Sequence, residues 1–341
     1  MPNSARYLSS SEAAQRLGVS VKALRLYEQR GLIAPSRSLA GWRAYSPDDM
    51  SRATEIVTLR NLGLSLAQVG QALGGDAQAL GPALAGHQRA LEMQIGQLAG
   101  IIERVRGLQA ELAAGRVPDS AELAQLLARK STGGVAFDLP WPWGGERFEL
   151  GNIGAINFIT GPLASGKTRL ARQIAQTLPH GRFVGLERLS NQAATAQLAE
   201  DAGLRLRVET SLGWLAEEGA EPSAALTELV ALLESAENEI LVIDMVEHGL
   251  DQASQEALIA HLRRRHAEAL PLFLMTRSTA ILDLAAVAPG ENLIFCPANH
   301  SPPMLVPPYP GAPGYEAVGS CLASPEVRAR SADVVAVRTG T

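Results

Sequence analysis

Apolar residues are arranged along this chain in three different patterns, and the changes of pattern divide it into parts. Ser9 with Glu12 three positions on is a capping-box signature, and Ala13, Ala14 and Leu17 follow at helical spacing until Gly18. Ser20 opens a second helix in which Val21, Leu24 and Leu26 are packing positions and Lys22, Arg25, Tyr27 and Glu28 face outward. Two helices joined by the tight turn Gly18-Val19-Ser20 form a helix-turn-helix pattern, with the second helix as the reader. After Gly31 the run SRSLAGWRAY at 36–45 predicts a short hairpin, a wing, with Arg43 between two aromatics. Ser46-Pro47-Asp48-Asp49 places a cap, a first-turn proline and two acids at another helix start, and a further short helix follows Gly63-Leu64-Ser65. This head, residues 1–75, is complete by about Leu73.

The pattern then changes to a heptad stripe. Over 84–114, Leu91, Ile95, Leu98, Ile102, Val105 and Leu112 recur at spacings of mostly four and three with charges between them, a coiled-coil stripe interrupted by Gln109. A linker at 115–134 with a small helix at 120–129 leads into a Gly-, Pro- and Trp-rich stretch where a second domain, 135–341, begins. There buried apolar strands at 153–159, 182–186, 240–243, 272–275 and 293–295 alternate with helical segments at 168–178, 192–202 and 226–233, and the proline-rich stretch 301–314 reads as an ordered surface loop. The expected fold is multidomain: an all-α winged helix-turn-helix head plus a coiled-coil helix, then an α/β P-loop NTPase-like domain.

Composition agrees with folded domains: 341 residues, 46% hydrophobic and 19% charged. No apolar run approaches the roughly 20 residues of a membrane span, and no basic-then-apolar leader opens the chain, so a cytoplasmic protein with no membrane partner is expected. Cys296 and Cys321 stand alone, which argues against a disulfide framework and a zinc site. The net charge of −5 is unevenly spread: residues 1–70 hold nine Lys/Arg against five Asp/Glu, so the head is +4 and the rest −9.

The head string YLSSSEAAQRLGVSVKALRLYEQRGLIAPSRSLAGWRAYSPDDM, continuing through LRNLGLSLAQV, resembles the N-terminal domain of MerR-family regulators across about 70 residues. The resemblance implies DNA contacts by Arg25 and Tyr27 of the second helix and by Arg43 and Tyr45 of the wing, with Lys22 at a phosphate. Guanidinium and phenol groups on a reading helix and wing suit that work; for Tyr27 and Trp42, core packing is the equal alternative. The resemblance further implies a homodimer formed through the long helix, a near-palindromic operator in double-stranded DNA, and action on RNA polymerase at the promoter.

In the second domain Gly161-Pro162-Leu163-Ala164-Ser165-Gly166-Lys167-Thr168 fits GxxxxGK[ST] between an apolar strand and a helix. Glycines Gly161 and Gly166 let the backbone approach a phosphate, Ser165 lies in the loop, Lys167 reaches the outer phosphates and Thr168 ligates Mg²⁺. The chain has only three lysines, Lys22, Lys130 and Lys167, against 27 arginines, and one of them stands where a phosphate site wants a point charge. Ile240-Leu241-Val242-Ile243-Asp244 is a Walker B pattern, with Asp244 as the second Mg²⁺ group. With His248-Gly249-Leu250-Asp251 and LFLMTRSTAILD (272–283), the region 135–300 resembles ABC-type ATPases, and the implied cofactors are ATP or a related nucleotide and Mg²⁺.

Departures from that family bear on chemistry. Met245 stands where the catalytic glutamate belongs, Arg277 replaces the switch histidine, and LAEEGAEPS occupies the place of the LSGGQ signature. A thioether cannot polarise water. Glu247 and Glu187 are the substitutes by position, although a solvated surface carboxylate is the favoured reading of each. The expectation is a regulator whose P-loop domain binds nucleotide as effector or switch with weak or no hydrolysis; the alternatives are an active ATPase recruited to DNA by the head, and a vestigial P-loop fold used for dimerisation or partner docking.

Overall fold

The computed structural model describes residues 7–38, 41–76, 78, 80–113, 116, 134–236, 238–264, 269–288 and 290–332. The chain forms two compact units, residues 1–94 and 95–341. The expected small helix at 120–129 lies outside the described residues.

The first unit opens with α1 (Ser10–Leu17) and α2 (Val21–Gln29), and the expected capping box at Ser9 and Glu12 is present, each side chain bonded to the other's backbone. Ser20 accepts from the Ala23 amide and starts α2, and Gly18 ends α1 in the left-handed conformation its missing Cβ permits. The wing is the two-residue pair β1 (Ser36–Arg37) and β2 (Arg43–Ala44), so the head is helical with a small antiparallel hairpin. Then come α3 (Pro47–Asn61), with its capping box at Ser46 and Asp49, and α4 (Leu66–Leu73), which ends where the sequence predicts the head to end. Ala13, Leu24, Tyr27, Ile33, Tyr45, Ile56, Leu64 and Val69 make the core of this unit. The helix α5 (Leu80–Ala113) runs for 34 residues and starts a turn earlier than the stripe predicts.

The second unit is built on a six-stranded sheet. Its strands are β5 (Ile156–Thr160), β6 (Gly181–Val184), β7 (Ile240–Ile243), β8 (Leu272–Met275), β9 (Glu291–Phe295) and β10 (Met304–Leu305), in the order β10-β9-β5-β8-β7-β6. All neighbours are parallel except β10, which folds back antiparallel on β9 and gives the proline-rich stretch an edge strand. The central strands β5, β7 and β8 are buried along their length, as expected for a parallel sheet covered on both faces. One face carries α6 (Lys167–Thr177) and the hairpin β3 (Val135–Asp138)–β4 (Arg147–Leu150); the other carries α9 (Ala202–Glu218), α10 (Ala224–Ser235) and α11 (Gln252–Arg263).

Two expectations change here. The predicted helix at 192–202 is two short pieces, α7 (Arg188–Asn191) and α8 (Ala193–Gln197), followed by the 17-residue α9. The Gly-, Pro- and Trp-rich stretch taken as a domain border is the connection of the β3–β4 hairpin, whose alternating burial packs Phe137 and Phe148 inward. After β10 come α12 (Tyr315–Cys321) and α13 (Pro325–Ala332).

Candidate functional site

On the head, Arg25 is exposed on α2 and Lys22 is half-buried beside it. Glu28 ties the wing to that helix: its carboxylate accepts from Arg43 Nε and lies 3.7 Å from Arg37. The Glu28 hydrogen bond also holds the Arg43 guanidinium above its ordinary range. Trp42 is exposed at the wing tip, where Gly41 adopts φ +79° to turn the chain. Of the two tyrosines, Tyr27 takes the core-packing alternative and Tyr45 is placed differently from the contact position expected of it. Tyr27 falls three residues after Leu24 on the inward face of α2, and Tyr45, bridged through its main chain to Leu8, is fully buried. Both phenols are core groups here, and burial pushes the Tyr45 hydroxyl above its usual range. Periodicity shows Glu28 only as outward; its bond to a residue 15 positions away is what gives it a role.

In the second unit the loop between β5 and α6 brings Gly161, Ser165, Gly166, Lys167 and Thr168 together at the carboxyl ends of the strands. Gly161 has φ +150°, and a Cβ there would stand 2.3 Å from the Cys296 carbonyl oxygen. At Gly166, φ +89°, a Cβ would stand 2.6 Å from the Trp143 ring. Only glycine fits either place. Ser165 is fully buried, and the Lys167 ammonium donates to the carbonyls of Gly161, at 2.9 Å, and Pro162. Burial pulls the Lys167 pKa down from the ordinary lysine range.

Asp244 follows β7, and β8 lies between that strand and β5, so Thr168 and Asp244 face each other across the width of one strand. Thr168 Oγ1 is 3.5 Å from Asp244 Oδ2. Burial raises the Asp244 pKa, opposed by Arg188 and by the Thr168 hydrogen bond. Arg188 is a residue that sequence reasoning missed. It is 6% exposed and donates to the carbonyls of Gly185 (3.0 Å), Asp244 (2.8 Å) and Met245 (2.8 Å), so one guanidinium fixes the ends of β6 and β7 together. Met245 itself has φ +44°, a conformation rare for a side chain other than glycine.

The two carboxylate substitutes separate. Glu187 is exposed at the start of α7. Glu247 is 3% exposed, contrary to the solvated reading: its Oε1 accepts from the Arg277 amide at 3.0 Å and pairs with Arg328 of α13. The arginine arrives from 81 positions away, so nothing local in the sequence shows that Glu247 is buried.

The donor set fits a nucleotide polyphosphate with Mg²⁺. A positive-φ glycine loop opens the 11-residue α6, an ammonium lies on that loop, and a hydroxyl and a half-buried carboxylate face each other beside it. Among the described residues no cluster of three or more His, Cys, Asp and Glu forms a protein-only metal cage, and Mg²⁺ at phosphates needs only one or two protein oxygens.

The family profile and the relatives found by sequence match the head and the residues that follow it. The profile of MerR HTH family regulatory proteins matches residues 8–75. A probable heavy metal-dependent transcriptional regulator of Haemophilus influenzae is 36% identical over 106 residues, covering 29% of this chain and 83% of that protein. An uncharacterized HTH-type transcriptional regulator of Pseudomonas aeruginosa is 30% identical over 129 residues, covering 35% of this chain and 96% of that protein. Among solved structures, HiNmlR, a MerR family regulator lacking the sensor domain and bound to promoter DNA, is 24% identical with a TM-score of 0.25, covering 33% of this chain and 92% of that one.

Proposed function

We propose that this chain, which belongs to the MerR HTH family of regulatory proteins and is a DNA-binding transcription regulator, couples its DNA-binding head to a nucleotide-binding body. The observation that carries the reading is the loop itself: Gly161 and Gly166 at positive φ, with Lys167 and Thr168 opening α6 and Asp244 facing Thr168. Lys167 would hold the outer phosphates of ATP or a related nucleotide, the amides at the start of α6 would donate to them, and Thr168 and Asp244 would hold Mg²⁺. The ion would neutralise phosphate charge. Asp244 and Lys167 are both shifted toward their neutral forms by burial; the phosphates would compensate one charge and the metal ion the other.

Binding without rapid turnover is the reading favoured by the neighbours of Asp244. Met245 has no acid–base function, and Glu247, the substitute nearer in sequence, is committed to Arg328 and the Arg277 amide. In the head, Lys22, Arg25 and Arg43 are the groups proposed to meet DNA, with Tyr27 and Tyr45 supporting them from the core. The chain is proposed to work as a homodimer joined through α5, whose Ile95, Ile102 and Leu112 are exposed in the single chain. Calorimetry with ATP and Mg²⁺ tests the body: saturable binding by the wild type and its loss in Lys167→Ala are expected. Equal heats from the two proteins would refute a nucleotide site at this loop.

A further inference from the structure

A cavity of about 340 Å³ opens on the β9 side of the glycine loop, away from Asp244. Its walls are Pro162 and Leu163 from the loop tip, Phe295 and Pro297 from the end of β9, Ala317 from α12, and Arg277. Most of this lining is apolar, and its one formal charge is the Arg277 guanidinium.

That guanidinium is uncompensated. Arg277 Nε is buried with no hydrogen-bond partner, and no carboxylate among the described residues forms a salt bridge with the side chain. In the larger cavity beside β4, about 460 Å³, Arg147 lies 3.3 Å from Asp138 and 3.5 Å from Glu149, so its charge is already answered. A partly buried cation left without an anion is costly unless something outside the chain supplies one.

The main chain of Arg277, in contrast, is held from two sides. Its amide donates to Glu247, which Arg328 holds in turn, and its carbonyl accepts from the Ala323 amide at 2.9 Å. Ser278 bridges to Ala323 in the same stretch. The segment from α12 to α13 is therefore strapped to the end of β8, and it contributes a wall of the cavity while fixing the residue that lines it. Glu247 thus acts as a positioning residue for Arg277.

We infer that this cavity binds a small organic anion with an apolar body, its carboxylate or phosphoryl group paired with Arg277 and its body against Phe295, Pro297 and Ala317. A pinned backbone with a free guanidinium is a preorganised receptor, the volume lies within the usual range for small-molecule sites, and the carboxyl edge of a parallel sheet is where such sites form. The ligand would touch the phosphate loop at Pro162 and Leu163 while leaving Lys167 and Asp244 to the nucleotide, so the site is distinct from the one proposed above.

The test is calorimetry on the full chain with 2-naphthoate as the probe and its neutral amide as control. One equivalent of the carboxylate is expected to bind, with the amide about tenfold weaker or worse, the scale of one charge-assisted pair. Arg277→Gln should weaken the carboxylate about tenfold, and Ala317→Trp, which fills the cavity from an exposed position on α12, should abolish binding without lowering the melting temperature. Lys167→Ala should lose ADP but keep naphthoate, which separates a failure of this site from a failure of the nucleotide site. Absence of saturable binding, equal affinity for the amide, an unaffected Arg277→Gln protein, or full displacement of naphthoate by ADP with Mg²⁺ would each overturn the inference.

Discussion

At the scale of single residues, the loop around Lys167 holds groups that the fold alone would not choose. Asp244 has a folded pKa raised above its ordinary 3.8. A raised carboxylate pKa means the ionised form is disfavoured by folding, a penalty present above the folded pKa and relieved as pH falls through it. Asp244→Asn is therefore expected to raise the melting temperature of the nucleotide-free protein at pH 7 while weakening Mg²⁺-dependent nucleotide binding; a lowered melting temperature would show that the carboxylate serves stability. Gly161→Ala should cost about 1–3 kcal/mol in denaturant unfolding, because the new Cβ meets the Cys296 carbonyl in a strained backbone conformation. Residues at this scale were legible when their meaning is local. The GxxxxGK[ST] run gave the loop and Lys167, whereas Arg188 and Arg328 act on partners 56 to 81 positions away and carry no signature. Tyr45 shows the opposite failure: a motif position taken for contact is occupied by a core side chain, whereas for Tyr27 the core alternative was already open.

At the scale of elements, caps and periods predicted well. Ser9, Ser20, Ser46 and Ser65 each cap a helix, so local hydrogen bonding at a helix start is enough to place α1 to α4. The β3–β4 hairpin was missed because four-residue strands give too few alternations to stand out from a glycine- and proline-rich background. The helix α9 was missed because Gly203 and Gly213 interrupt its pattern, although Leu204, Val208 and Leu215 are buried along it. Two element-level predictions follow from exposure and charge. Ile95→Glu with Ile102→Glu on α5 should turn a dimer into a monomer by sedimentation, with the far-ultraviolet helix signal kept; an unchanged mass would remove α5 as the joint. If Arg43 meets phosphate as proposed, Arg43→Ala should weaken DNA binding at every sequence tested and reduce the salt slope by about one, although the same guanidinium also pairs with Glu28. No change in slope would leave Arg43 as only the tie to Glu28.

At the scale of the whole molecule, the charge division is the clearest statement in the sequence: a head of +4 on a chain of −5. A basic reading unit attached to an acidic body matches a regulator that takes its DNA with one part and its signal with another. The family of the head says what the first part does, and its relatives cover only about a third of this chain. The remaining two thirds, with the loop at Lys167 and the cavity at Arg277, is where this regulator's signal is proposed to enter. Such a signal acts on the head only if the ligand binds two states of the protein unequally, and that inequality is measurable as a coupling. The most direct test is a titration of a DNA duplex, selected from a randomised pool by the protein itself, with and without ATP and Mg²⁺, in the wild type and in Lys167→Ala. Nucleotide should shift the affinity of the wild type by about fivefold or more, in the range of ordinary allosteric coupling, and leave Lys167→Ala unmoved; the same affinity in all four titrations would contradict the account.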